Sequence, residues 1–194
     1  MICADEKTQL QALGRRHDTV PPGPGRPALV EFDYLRGGTL AYLAAWDVHH
    51  AKLFDRVEQT TGIVAFGRLV DQVMAIEPYA SARRVFWIVD NGSSHAGKTS
   101  IARMHEAHDN AELIHLPVHA SWLNQAELLF SIVQREALTP NDFGSLQQLA
   151  GRLMDFGQHY RNTARPFEWT FTRQDLNRVL AKITDRQPQL ALAA

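Results

Sequence analysis

Residues 84–90 (RVFWIVD) constrain the fold of this chain more than any other segment. They form a continuous apolar run that ends in an aspartate and is followed by Asn91 and a glycine. Such a run is typical of a strand that is buried on both faces, and these strands belong to sheets covered by helices. The segment therefore predicts a buried strand of an α/β sheet.

The neighbouring segments supply the rest of that sheet and its covering helices. Short alternating or apolar runs predict strands at 1–12, 39–47, 52–57 and 112–116, with a proline-rich loop at 21–27. Apolar residues at three-four spacing predict helices at 63–77, through Ala102 and Met104, and after the capping residues Ser121, Ser145 and Thr172. This order predicts one α/β domain with a mixed sheet over residues 1–184, followed by a loose tail at 185–194.

Composition and charge exclude several classes of protein. The 194 residues are 45% hydrophobic, which is enough to build a core and rules out a disordered chain. A single cysteine excludes an internal disulfide and a thiolate zinc site. No apolar run approaches the roughly 18 residues of a membrane span and no signal-peptide core is present, so we expect a cytoplasmic protein without a membrane partner. The net charge of −1 points to no polyanion by itself.

Residues 92–99 (GSSHAGKT) match the phosphate-loop pattern G-x-x-x-x-G-K-[ST], after a predicted strand and before a predicted helix. A nucleotide hydrolase also needs a second strand that ends in a magnesium-binding aspartate. The strand at 112–116 ends in Pro117 instead, and Asp47 is the only other candidate. A P-loop nucleotide hydrolase is therefore one hypothesis, and a polar loop that precedes a helix is its structural alternative.

Three carboxylates stand where a binding site could form. Asp90 ends the apolar strand at 84–90, Glu127 borders the apolar stripe of its predicted helix, and Asp5 lies within a predicted strand, where aspartate is disfavoured. Together they would repel one another, and a divalent cation would remove that conflict. Asp90 could equally open an Asp-Asn-Gly turn, and Glu127 could be a half-solvated surface residue.

Four blocks of the sequence resemble a known family. They are MICADEKTQLQAL, VDNGSSHAGKTSIARM, LPVHASWLNQAELLFSIVQREALTPNDF and YRNTARPFEWTFT. In this order they are similar to the DDE catalytic domain of bacterial insertion-sequence transposases of the mariner superfamily. The resemblance implies a ribonuclease H-like α/β fold, with a mixed five-stranded sheet flanked by helices. It also accounts for the phosphate-loop match, because the family carries a similar block for reasons unrelated to nucleotides.

The resemblance assigns residues and chemistry. The family's catalytic and metal-binding triad falls on Asp5, Asp90 and Glu127, which would hold two Mg²⁺ or Mn²⁺ ions for DNA cleavage and strand transfer. The motif blocks also contain Asn91, His95, Trp122 and Asn124, which would support the triad or position DNA. The expected partners are double-stranded DNA, as transposon ends and target, and a second transposase chain, either in a homodimer or as a full-length protein. The expected location is the bacterial cytoplasm, at the nucleoid.

This sequence also departs from the family pattern. Met1 lies four residues before Asp5, so we expect the family's N-terminal helix-turn-helix region to be missing, and we expect the first strand to be short at its outer end, towards Met1. Gly37 stands where the family carries a histidine. Two hypotheses remain open: a metal-dependent nuclease and strand-transfer domain, or a catalytically silent remnant that only binds DNA or dimerises.

Overall fold

The computed structural model describes residues 1–30, 32–118, 120–168 and 172–186, with side chains to residue 182. Its five strands are β1 (Ile2–Arg15), β2 (Tyr34–Asp47), β3 (Lys52–Glu58), β4 (Val85–Val89) and β5 (Ala111–His115). Its five α-helices are α1 (Ile63–Met74), α2 (Gly97–Ala107), α3 (Ala126–Glu136), α4 (Leu146–Thr163) and α5 (Arg173–Arg186).

The five strands form one mixed sheet in the order β3-β2-β1-β4-β5. The pairs β1–β2 and β2–β3 are antiparallel, whereas β1–β4 and β4–β5 are parallel. This confirms the predicted α/β class with a five-stranded mixed sheet. Strand β1 begins at Ile2, so it is short on the side of Asp5 that faces Met1, as expected, whereas at its other end it runs beyond the predicted residue 12 and pairs with β2 as far as Arg15, across two register shifts.

Each face of the sheet buries its own core. On one face, α1 and Met104 of α2 pack against Ile2, Leu43 and Trp87. On the other face, α3 and α4 pack against Tyr42 and further residues of β1, β2 and β3. Because side chains alternate along a strand, the first core takes Ile2 and Ala4 of β1 and leaves Asp5 directed to the face of α3, as the alternation predicted.

The predicted helix at Ser121 begins later than the apolar spacing suggests. Residues Ser121–Leu123 form a single 3₁₀ turn, and Leu123 is 47% exposed rather than part of the core. The Asn124 side chain ends this turn, because its Oδ1 accepts the N–H of Ala126, 3.2 Å away, at the start of α3. An asparagine cap therefore starts the helix, and the apolar three-four spacing placed that start about one turn too early in the chain.

Of the two capping boxes predicted from the sequence, the one at Thr172 forms in full, whereas at Ser145 the Gln148 side chain accepts the N–H of Gly144 instead of that of Ser145. The Ser145 side chain accepts the N–H of Gln148 at α4, and Thr172 and Asp175 bond reciprocally at α5. Helix α1 ends at Met74, earlier than the predicted 77. Of the predicted tail, residues 187–194 lie outside the described part of the chain. Within the described residues, no helix is both long and apolar enough to cross a membrane.

Candidate active site

Asp5 and Asp90 are brought side by side by the parallel pairing of β1 and β4. The ladder pairs Cys3 with Ile88, so Asp5 and Asp90, each two residues further along, come level on neighbouring strands. Adjacent strands are about 4.8 Å apart. The carboxyl end of β4 therefore places one aspartate against another that arises inside β1, as ligand sites of α/β sheets commonly do.

Asp5 lies in a buried and acidic environment. It is 7% exposed; its Oδ1 accepts the N–H of Glu6 at 2.8 Å, and its Oδ2 lies 3.4 Å from Nδ2 of Asn124. Burial, and to a lesser degree the charges of Asp90, Glu127 and Glu6, raise the pKa of Asp5 from 3.8 to about 7. Keeping Asp5 ionised in this environment therefore costs folding free energy, and carboxylates in such environments are typical of functional sites.

Asn124 fixes Asp5 from the side of α3. Its Nδ2 donates to the backbone oxygen of Ala4 at 2.9 Å, and its Oδ1 caps α3. One buried side chain therefore links β1 to the start of the helix that carries Glu127.

Asp90 is held by the loop that follows it. Its Oδ1 accepts the N–H of Gly92 at 2.7 Å and lies 2.6 Å from Nε2 of His95, which is fully buried. A Cβ on residue 92 would approach Oδ1 of Asp90 to 2.9 Å and Nε2 of His95 to 3.1 Å. Only glycine leaves room for the contact between Asp90 and His95 at this position.

Glu127 lies in the first turn of α3 and is exposed. It is near enough for its charge to raise the pKa of Asp5. Its backbone N–H donates to the Asn124 carbonyl at 3.0 Å, so the residue that contacts Asp5 also anchors the turn that carries Glu127. The fold thus brings all three predicted carboxylates into one neighbourhood.

Asn91 borders a cleft beside Asp90. Asn91 donates from Nδ2 to the Leu116 carbonyl at 2.9 Å, which ties the loop after β4 to the end of β5. The cleft has a volume of about 300 Å³ and is lined by Asp90, Asn91, Gly92, Pro117, Val118 and Ser121. Trp122 follows in the chain and is 73% exposed, so its indole is available to a ligand. His119 lies outside the described residues.

In the loop that matches the phosphate-binding pattern, some of the backbone N–H groups already donate to neighbouring protein atoms. The N–H of Gly92 donates to Asp90, and the N–H of His95 donates to the Gly92 carbonyl at 3.1 Å. A phosphate loop needs such N–H groups free to surround the ligand. The loop is therefore built around Asp90 and His95 rather than around a vacant anion position.

The donor chemistry of the three carboxylates fits a hard divalent cation. Oδ2 of Asp90 makes no hydrogen bond with any described residue, and Asp5 is destabilised by the two other carboxylates. Mg²⁺ and Mn²⁺ favour carboxylate oxygens and would offset that repulsion. Within the described residues, however, no three histidine, cysteine or acidic side chains come close enough to form a ready metal site.

Glu6 and Ser94 also belong to this neighbourhood, and the sequence did not single them out. Ser94 donates from Oγ to Oε1 of Glu6 at 2.5 Å and lies 3.1 Å from Nδ1 of His95. Glu6 follows Asp5 directly, and Ser94 lies in a loop that reads only as polar. No pattern within either segment indicates that the two meet.

Comparisons with known proteins define the class and then the family. The structure resembles a Mos1 transposase paired-end complex with left transposon end, with a TM-score of 0.59 and 18% identity over 85% of this chain and 48% of that chain. It also resembles a pre-cleavage Mos1 transpososome, with a TM-score of 0.54 and 16% identity over 86% of this chain and 56% of that chain. The chain spans about half the length of these Mos1 chains.

The fold is thus of the ribonuclease H-like class, with a mixed five-stranded sheet flanked by helices. Residues 1–150 match the family model for the DDE superfamily endonucleases, and the chain belongs to this family. No curated protein matches its sequence.

Proposed function

We propose that this chain is the catalytic domain of a transposase of the mariner superfamily, from its bacterial insertion-sequence branch. In this proposal it cleaves DNA at the element's ends and joins them to target DNA. The observation that carries the proposal is the level position of Asp5 and Asp90, two residues beyond the last pair of the β1–β4 ladder, with the charges of Asp90 and Glu127 both acting on Asp5. Membership of the DDE endonuclease family supports it.

Asp5, Asp90 and Glu127 would hold two Mg²⁺ or Mn²⁺ ions. When bound, these ions supply an activated water or DNA 3′-hydroxyl and stabilise the leaving oxygen. Water would first break the bond between phosphorus and the 3′ oxygen at the element's end. The freed 3′-hydroxyl would then attack a target phosphodiester and release a target 3′-hydroxyl. Each step exchanges one ester bond, so neither step requires ATP.

The surrounding residues would hold the two aspartates and the DNA. Asn124 orients Asp5, and His95 orients Asp90 through Oδ1, which leaves Oδ2 as a ligand. Asn91 shapes the cleft beside Asp90, and the exposed indole of Trp122 is suited to stack on a DNA base. The partners are double-stranded DNA and a second transposase chain, identical or full-length.

A silent remnant is the second candidate function, and one observation favours it. The described residues contain no ready cluster of three metal-binding side chains, and Glu127 is exposed. A chain whose carboxylates cannot converge would bind DNA or a transposase partner without cutting.

Nicking of supercoiled plasmid in Mn²⁺ distinguishes these functions. We expect the wild type to nick and Asp90→Asn to lose nearly all of the rate, because the asparagine side chain would keep the loop contacts but remove a charged ligand. Asp142→Asn is the matched control, since Asp142 forms only an exposed ion pair with Arg15, 3.2 Å away. Equal rates for the wild type and Asp90→Asn would refute the assignment. If the wild type binds DNA but does not nick it, the remnant hypothesis is correct.

A further inference from the structure

A continuous path of hydrogen bonds joins Asp5 to Asp90. The N–H of Glu6 donates to Oδ1 of Asp5 at 2.8 Å, and Oε1 of Glu6 accepts from Ser94 Oγ at 2.5 Å. Ser94 Oγ lies 3.1 Å from Nδ1 of His95, whose Nε2 lies 2.6 Å from Oδ1 of Asp90. The two aspartates are therefore connected through the backbone and side chain of Glu6, then Ser94, then His95.

Backbone pairing does not extend to this level of the sheet. The β1–β4 ladder pairs Ile2 with Trp87 and Cys3 with Ile88 and ends there. Asp5 and Asp90 carry charges of the same sign, so their ionised forms repel each other. Side-chain contacts therefore help to set their separation, and within the described residues the hydrogen bond between Ser94 and Glu6 joins β1 to the loop after β4.

Burial restricts the motion of the side chains along this path. His95 is 0% exposed and Ser94 is 3% exposed, so water does not compete for their hydrogen bonds. The hydroxyl of Ser94 donates its one hydrogen to Glu6, so the contacts of His95 are hydrogen bonds when Nδ1 donates to Ser94 Oγ and Nε2 donates to Asp90, with a hydrogen on each ring nitrogen. The contact with Ser94 fixes the rotation of the imidazole and directs Nε2 at Asp90. The carbonyl of His95 in turn accepts from Ser100, which holds the backbone but not the ring.

We propose that Glu6 and Ser94 are positioning residues that set the separation and orientation of Asp5 and Asp90 for binding a divalent cation. The inference rests on the proposed function, since it concerns the same carboxylates. Neither residue is a ligand in this proposal; both act through neighbours. Partners that orient metal ligands in this way typically change metal affinity by about 10- to 100-fold when they are removed.

Two matched pairs of variants test the proposal by Mn²⁺ affinity, with free Mn²⁺ counted by electron paramagnetic resonance. Ser94→Ala removes the bridging hydroxyl, whereas Ser100→Ala removes another buried hydroxyl of the same segment that touches only backbone. Glu6→Met and Glu6→Gln both remove a negative charge at similar size, but only glutamine keeps an oxygen to accept from Ser94. The free energy of unfolding is measured in EDTA for every variant.

We expect Ser94→Ala to weaken Mn²⁺ binding by about 10-fold relative to the wild type, and Glu6→Met by about 10-fold relative to Glu6→Gln, which has lost the same charge. Ser100→Ala should stay within about twofold of the wild type. An unchanged affinity in Ser94→Ala would overturn the inference. So would a loss shared by all four variants in proportion to their instability, since this would reflect general loosening. If Ser94→Ala does not fold, the Glu6 pair decides alone: equal affinity in both overturns the inference. A wild type that binds no Mn²⁺ refutes the proposed function, and the inference with it.

Discussion

Replacing Asp5 by asparagine should stabilise the metal-free protein at neutral and alkaline pH. The fold raises the pKa of this carboxyl from 3.8 to about 7, chiefly by burial. Each pKa unit corresponds to about 1.4 kcal/mol, so ionised Asp5 lowers the free energy of unfolding by up to about 4 kcal/mol. The asparagine side chain would keep the contact with the Glu6 N–H but would turn an amide towards Asn124, so we expect a net gain of about 2 kcal/mol.

The sign of the pH dependence follows from the direction of the shift. Well below pH 3.8, Asp5 is protonated in the folded and unfolded states alike, so ionisation contributes no difference between the wild type and Asp5→Asn. Between pH 3.8 and about 7, the folded wild type holds a proton that the unfolded chain has lost, so its stability falls as pH rises. The advantage of the variant should grow across that window and stay constant above it.

Urea unfolding in EDTA at pH 4, 5.5 and 8 measures this advantage. Mn²⁺ at about 100 times its dissociation constant should then add roughly 2.7 kcal/mol to the wild type and little to Asp5→Asn. Asp47→Asn is the control, and it should lower the free energy of unfolding at pH 8 rather than raise it. Asp47 is also buried, but it accepts hydrogen bonds from Tyr79 and two backbone N–H groups, and its pKa is lowered. An Asp5→Asn variant that is less stable than the wild type at pH 8, or that keeps the full Mn²⁺ gain, would refute the reasoning.

Three further predictions concern packing and ligands. A Cβ on Gly157 would overlap Oδ2 of the buried Asp55, so Gly157→Ala should cost about 3 kcal/mol or more in urea unfolding, whereas Gly151→Ala, with nothing within 4 Å, should gain about 0.5–1 kcal/mol. Calorimetric titration should detect no micromolar ATP binding; an affinity that Lys98→Ala abolishes would contradict this. DNA binding measured by anisotropy should be weak, insensitive to sequence and steeply reduced by salt, and a strong preference for one short duplex would show base recognition within this chain.

Local sequence patterns predicted much of the fold. The apolar run at 84–90 predicted β4, but only the face of Val85, Trp87 and Val89 is fully buried, while Phe86 is 41% exposed, so the expected burial of both faces is wrong. The capping bonds at Ser145 and Thr172 formed as predicted because they span only three residues. The alternation in β1 also directed Asp5 to the face opposite Ile2. Three carboxylates could be selected because each stands where its residue type is costly or suited to a ligand.

The tertiary structure decided what depends on contacts between distant segments. Partner strand β2 carries β1 out to Arg15, and Asn124 moves the start of α3 because its side chain is fixed against Ala4. The sequence determined which residues could form a carboxylate site, since residue type and local periodicity are written in each segment. Only the folded sheet brought Glu6 to Ser94, because a hydrogen bond between segments far apart in the chain leaves no trace in the pattern of either one.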